Sequence, residues 1–392
     1  MSSIWRVVGG PLVAGAASGP LRGESVAVKD LFEVAGFAVG AGVPAYLAES
    51  RPATTTAPAV ASLLAAGADV IGIAQTDEFA YSIAGRNSHY GTPPNVAAPG
   101  SIPGGSSSGP ASAVASRQVS IGLGTDTAGS IRVPASYQGL WGLRASHGAI
   151  DTAGLLPLAP SFDAVGWLTL TSGTLLHAAA TSLDSSCQID IPIGVVVAPA
   201  VLAETTSGVR DAFTTAVARL VESRRVQPPD EVELPDLSET YELFRTVQAA
   251  EAWQVHGNWI LQHPGCLGPD ITARFAYAAS VTTDQYHVAT AEIERIRARL
   301  DAVLAGQVLM LPTTSTTAPP LGADAEQIDA VRTSTLHLTS LAGMGGYPAL
   351  SLPALRVDGI PAGLCLIGPR LSDLALIERG RSYADALEVA GA

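Results

Sequence analysis

The sequence predicts an α/β fold, a layer of strands covered by helices, and three observations carry that expectation. Helical and strand patterns follow one another: Pro58 to Ala66 (PAVASLLAA) has a proline at its start and Gly67 at its stop, and the continuous apolar run Val70 to Ala74 (VIGIA) comes next. Such an alternation builds layered α/β architectures. Hydrophobic residues make up 47% of the chain and charged residues 15%, which suits a large core and excludes a disordered chain. Finally, the Gly/Ser-crowded stretch from Gly100 to Ser136 is interrupted by apolar segments that a flexible spacer lacks.

Taken in order, the elements are these. Ile4 to Gly19 is apolar apart from Arg6, but Gly9, Gly10 and Pro11 break it early, so an irregular entry segment packed on the domain is expected rather than an export signal. Ser25 to Val28 is a short apolar run that places Lys29 at the end of a buried strand. Ala111 to Ala115 suits the start of a helix and Val119 to Gly124 a strand, so two Gly/Ser loops flank a helix–strand unit. Ile191 to Val197 reads as a strand, and Ser207 to Ser223 as an amphipathic helix with Val209, Phe213, Val217, Leu220 and Val221 on one face. Gln227 to Asp236 holds three prolines and four acidic residues and reads as a surface loop. A second amphipathic helix covers Tyr286 to Leu304, with Ile293, Ile296, Leu300, Val303 and Leu304 at helical spacing. Val308 to Leu311 is a strand running into Pro312-Thr313-Thr314; Leu350 to Leu352 and Gly363 to Ile367 are further short strands. With no repeat and no long linker, residues 1–392 are expected to form one continuous domain.

Composition excludes several function classes. A formal charge of −13, with no basic cluster, argues against nucleic-acid binding. No apolar run reaches the length of about 18 residues that a membrane helix needs. Cys187, Cys266 and Cys365 are widely separated and form no CxxC, which fits buried thiols in a reducing compartment and a cytoplasmic location. None of the seven histidines, His89 and His147 included, has metal-ligand spacing, so neither metal nor cofactor is expected. Lysine occurs once, at Lys29, against 21 arginines. Arginine stays protonated at any accessible pH, so a lone lysine in this background marks a position where a nitrogen must lose its proton.

The two Gly/Ser loops offer nucleophiles and backbone donors. Their glycines let successive N–H groups converge on one anion, either a phosphate or the oxyanion of acyl transfer. GGSSSG lacks the lysine of a P-loop, and GTDTAGS is no dinucleotide fingerprint. There is no GxSxG elbow and no motif naming a histidine base, so a serine nucleophile here would need Lys29.

Three segments carry a resemblance to a known family. Val28-Lys29-Asp30, Pro103 to Gly109 (PGGSSSG) and Gly124 to Ser136 (GTDTAGSIRVPAS) resemble the amidase signature, with Ser106 and Ser130 separated by 24 positions. The likeness continues through Ser161 to Gly166 (SFDAVG), Leu311 to Thr314 and Gly363 to Arg370. Tyr81 to Asn95 and the short lead before Lys29 are similar to the compact plant-type indole-3-acetamide amidases. The resemblance implies a central twisted mixed sheet with helices on both faces, a motif core over about residues 25–170 and a variable, substrate-side region over about 185–305.

It also implies a mechanism. Ser130 would attack the amide carbonyl, and Ser106, joined to Gly105 by a cis peptide bond, would relay protons to neutral Lys29. Thr127, Ala128, Gly129 and Ser130 would supply the oxyanion hole; Ser107, Asp126 and Arg132 would hold both loops; Phe79 and Tyr81 are expected substrate contacts. Lys29 must be neutral, which asks burial for roughly 4–5 kcal/mol of bias against its charged form; Asp30 opposes this unless its carboxylate points elsewhere. Three residues depart from the family pattern: Ala128 replaces a glycine, Pro110 follows the serine loop, and Pro94 precedes Asn95. The expectation is hydrolysis of a small uncharged carboxamide such as indole-3-acetamide, by a chain that could pair as a homodimer. The other readings are a glutaminase subunit of an amidotransferase, a biosynthetic transacylase and a non-catalytic amidase-like receptor.

Overall fold

The computed structural model describes residues 3–191, 194–304 and 306–389. Its spine is an 11-stranded sheet. The strands are β1 (Trp5–Val13), β2 (Ser25–Lys29), β3 (Asp69–Ala74), β4 (Ile121–Thr125), β5 (Trp141–Arg144), β6 (Val165–Thr169), β7 (Gly194–Val197), β8 (Asp230–Glu231), β9 (Gln307–Pro312), β10 (Ala349–Val357) and β11 (Ile360–Ile367). They lie in the order β1-β3-β2-β4-β6-β5-β10-β11-β9-β7-β8. β2 runs parallel to β3 and β4, and β7 parallel to β8 and β9, while the other neighbours are antiparallel. The sheet is therefore mixed, as the resemblance implies.

Alternation along β2 shows how helices come to cover both faces. Val26 and Val28 are fully buried in a cluster shared with Leu63 of the helix Pro58–Ala65, Leu175 of Ser172–Ala180 and Leu376 of Asp373–Ala386. Ala27 faces the opposite way, into a cluster with Ala111 and Val114 of the helix Ser108–Ala115 and Ala135 of Arg132–Gln138. Each such valine contributes about 1.5–3 kcal/mol of burial. Lys29 lies two residues beyond Ala27, hence on the same face, beneath the short helices that the Gly/Ser loops feed. Close approach is needed there: a Cβ on Gly124 of β4 would fall 2.5 Å from Ser107 Oγ.

The structure corrects several sequence readings. The entry segment is not irregular, because Trp5–Val13 pairs antiparallel with β3 as the edge strand. An edge tolerates Gly9, Gly10 and Pro11, since a residue without an N–H loses nothing on the unpaired side. The helix assigned to start at Ala111 begins at Ser108 and ends at Ala115. Pro110 lies in its first turn, where amides have no intrahelical acceptor, so that departure costs no hydrogen bond. The strand expected over Ile191–Val197 is Gly194–Val197; residues 192 and 193 lie outside those described. The acidic loop contains the two-residue strand β8. The last two short strands are the centres of one long hairpin, turning at Asp358-Gly359. Pro94 is exposed. The three cysteines are free, but of the thiols expected to be buried only Cys365 is; Cys266 is half-buried and Cys187 exposed. No described helix is long and apolar enough to cross a membrane.

Candidate active site

Lys29 ends β2 with no solvent exposure. Its Nζ lies 2.7 Å from Ser106 Oγ and 2.7 Å from Thr125 Oγ1, the last side chain of β4. Ser106 sits in the turn before the helix Ser108–Ala115, and its peptide bond to Gly105 is cis. Burial pushes the Lys29 amine down from 10.5 to about 7, against the opposing pull of the Asp77, Asp163 and Asp126 carboxylates. Asp30 does not join them: its Oδ2 faces Arg6 Nε at 2.8 Å and its Oδ1 accepts the Gly40 N–H at 3.0 Å. The carboxylate points away, which is the condition the sequence left open.

The second loop is organised by Asp126. Its carboxylate accepts from Arg132 Nε at 3.0 Å and Arg132 Nη2 at 2.8 Å, and from the backbone of Gly129, Ile131 and Arg132. Arg144 Nη1 adds an ion pair at 3.5 Å. Burial alone would raise this carboxyl, but the Arg132 and Arg144 guanidiniums and the N–H donors hold it well below the usual range. Removing such a partner strands buried cations, at a cost of about 3–5 kcal/mol. Ser107 ties the two loops together: its Oγ donates to Thr125 O at 3.2 Å and its N–H to Ser130 O at 3.3 Å. Asp163 supports the same loop, accepting from Thr127 Oγ1 at 2.5 Å.

Ser130, Thr127 and Ala128 line a pocket of ≈ 270 Å³. Of the four amides expected to face an oxyanion, Gly129 N–H is committed to Asp126 Oδ1 at 2.7 Å. The amides of Thr127, Ala128 and Ser130 have no protein acceptor among the described residues. Ala128 is not among the positive-φ residues, whereas Gly129 has φ 135°. No bond joins the Ser106 and Ser130 hydroxyls in this arrangement among the described residues. Tyr81, Ile83, Leu158 and Leu336 form the apolar wall, and Gln248 and Arg332 the polar one. Phe79 is not a wall residue, contrary to expectation. It is 1% exposed and packs on His256, with ring centroids 4.4 Å apart, and on Tyr46, Trp259 and Phe275. A larger cleft of ≈ 890 Å³, between His147, Glu294, Arg297 and Arg370, includes neither Ser106, Ser130 nor Lys29.

Comparison with known proteins identifies the family. The family model "Amidase" matches residues 11–190 and 186–377. The chain belongs to the amidase signature family. It is 35% identical to "Amidase 1" of Arabidopsis thaliana, with 93% of each chain covered. It is 32% identical to the 2-amino-5-chloromuconic acid deaminase of Comamonas testosteroni, covering 92% of this chain and 80% of that one. A crystallised amidase superposes with a TM-score of 0.83 at 32% identity, covering 93% of this chain and 85% of the other. Family membership makes the chain an amidohydrolase.

Beside the apolar wall residues Ile83, Leu158 and Leu336, four polar residues of the site escaped sequence reasoning. Thr125 and Arg144 end apolar strands just as Lys29 does, and that signal would have found them. Gln248 and Arg332 come from the helices Leu237–Gln262 and Ala325–Gly345, where nothing local distinguishes them from surface residues.

Proposed function

We propose that this amidase cleaves a small carboxamide to acid and ammonia or amine through an acyl-enzyme on Ser130. The observation that carries the reading is the contact of a buried lysine, whose amine burial pushes down to about 7, with Ser106 at 2.7 Å. A neutral amine has two N–H groups and one lone pair. With one N–H on Thr125 Oγ1, the lone pair is free to face the Ser106 hydroxyl. Ser130 attacks the carbonyl carbon as its proton passes to Ser106, and the Ser106 proton passes to Lys29. Collapse of the tetrahedral intermediate breaks the C–N bond, and the relay runs backwards to protonate the leaving amine. Water then releases the acid. The relay requires Ser130 to turn toward Ser106 when substrate binds, in keeping with the looser geometry usual before that step. The amides of Thr127, Ala128 and Ser130 hold the oxyanion, each worth about 100- to 1000-fold in rate.

The apolar wall of Tyr81, Ile83, Leu158 and Leu336 supports a flat or aliphatic acyl group, an arylacetamide such as indole-3-acetamide among them. Intact-mass analysis after incubation with a fluorophosphonate tests the mechanism. One adduct should form, vanish in Ser130→Ala and slow sharply in Lys29→Arg. No adduct on folded wild-type protein would sink the proposal.

A further inference from the structure

Arg332 lines the same pocket as Ser130, and it is oddly provided for. Among the described residues its only hydrogen bond runs from Nη1 to Tyr241 Oη at 3.3 Å, and its nearest carboxylate, Asp329, is 3.9 Å away and 67% exposed. Its Nε is buried without a hydrogen-bond acceptor. Among the described residues Nη2 has no acceptor either. A guanidinium carries five N–H donors in a fixed fork, and buried donors left unmatched cost about 1–3 kcal/mol each. Arg132, by contrast, is held by a carboxylate at close range: it meets Asp126 through two nitrogens and Thr339 O through one of them, although its Nη1 also lacks an acceptor among the described residues.

The surroundings deepen the deficit. Burial and Arg332 both push the Arg274 guanidinium down, so the two cations feel each other, while Arg274 spends its Nη2 on Asp270. Gln248, which faces the pocket beside Arg332, makes no side-chain hydrogen bond among the described residues. A planar fork and an amide donor thus stand open in the pocket that holds the nucleophile, and Arg332 is the one charged group among the described residues of its lining. A carboxylate matches the fork through two parallel bonds, and no neutral group does.

We propose that the substrate is an amide whose acyl part carries a carboxylate, received by Arg332 and Gln248 while the amide carbon meets Ser130. This rests on the amidase reading and narrows it from neutral carboxamides to monoamides of dicarboxylic acids. The test uses succinamate, glutaramate and adipamate, each beside the neutral amide with a methyl group in place of the carboxylate, on wild-type enzyme, Arg332→Met and Arg332→Lys. At least one carboxylate should exceed its neutral twin by about tenfold or more in kcat/KM, mainly through KM, the size of a charge-assisted hydrogen bond. That ratio should collapse in Arg332→Met and partly return in Arg332→Lys, with folding followed by thermal melting. Calorimetry of glutarate and adipate on Ser130→Ala reads the anion site without catalysis, and binding should weaken when Arg332→Met is added. Neutral twins preferred by the wild type, or an unchanged ratio in Arg332→Met, would overturn the inference and leave the amidase reading standing. Diacid binding that depends on Arg332, with no amide cleaved and Ser130 unlabelled, would uphold the site and overturn the reaction.

Discussion

The floor and the wall of the pocket are built by opposite rules. On the floor, charged side chains are closed in by their own fold: Asp126 is surrounded by five N–H contacts and two guanidiniums, and Lys29 has Ser106 and Thr125. On the wall, Arg332 has no carboxylate closer than Asp329 at 3.9 Å among the described residues. A charge-matched network fixes atoms in place before substrate arrives, which the proposed proton relay requires. A cation without a close counter-charge leaves free energy to be realised on binding. The difference teaches where rate and where selectivity reside, and changes on the floor should act on kcat while changes on the wall act on KM.

The strongest break to attempt is Ser106→Ala. In the proposed relay its hydroxyl links Lys29 to Ser130, and removing it leaves Lys29 with Thr125 alone among the described residues. Loss of a general acid–base group typically costs about 100- to 10,000-fold in kcat. KM for the best amide should stay within about threefold, because Ser106 is not part of the pocket lining. Steady-state kinetics checks both numbers. A loss confined to KM would erase the distinction between floor and wall.

The second prediction concerns the cost of the floor. Lys29 titrates near 7 in the folded chain and at 10.5 when unfolded. Between those values the unfolded chain holds a proton that the folded chain lacks, so unfolding free energy rises with pH across the window. The full penalty is felt below pH 7, and the contribution is restored only above 10.5. From pH 7 to 9 the gain should be about 2 kcal/mol, with a limiting slope of about 1.4 kcal/mol per pH unit. Asp30, which burial raises to about 7, is still losing its proton at the start of that window and opposes the rise slightly, but it does so equally in wild-type protein and in a Lys29 variant. Urea unfolding at pH 7, 8 and 9 should show the rise in wild-type protein and lose it in Lys29→Met. The same ionisation predicts that kcat/KM climbs through pH 7 on its acid side. Equal slopes in the two proteins would mean that the floor holds a charged lysine, and the relay would have no base.

How much of this was legible follows from the same division. Lys29, Ser106, Ser107, Asp126, Ser130 and Arg132 lie at strand ends and in turns, where local chemistry and residue type carry the signal. A single lysine closing an apolar run is visible without any partner in view. Gln248 and Arg332 are different, because helical periodicity tells which face of a helix is buried but not what stands opposite. Phe79 failed for a related reason: an aromatic beside a motif can turn either way, and packing on His256 and Phe275 turned it inward. At the fold level the edge strand Trp5–Val13 was hidden by its glycines and proline, and the Asp358-Gly359 turn, a known hairpin signal, was there to be used.

The smallest expected effect tests how finely the floor is set. Ala128 stands where relatives of this family usually carry glycine, yet its backbone is not in the left-handed region and its methyl joins a buried cluster with Val133 and Leu341. Nothing there requires glycine. Ala128→Gly should therefore leave kcat/KM within about twofold and lower stability by about 0.4–1 kcal/mol, through the added freedom of the unfolded chain. Its neighbour is the control. Gly129 has φ 135°, and a Cβ there would lie 3.0 Å from Val133 Cγ2 and 3.1 Å from Thr339 Oγ1. Gly129→Ala must shift the backbone that Asp126 holds, and with it the amides of Ala128 and Ser130, so its rate should fall far more than its melting temperature accounts for. If the two substitutions instead behave alike, the oxyanion loop is not held by the Asp126 network, and the floor is no more rigid than the wall.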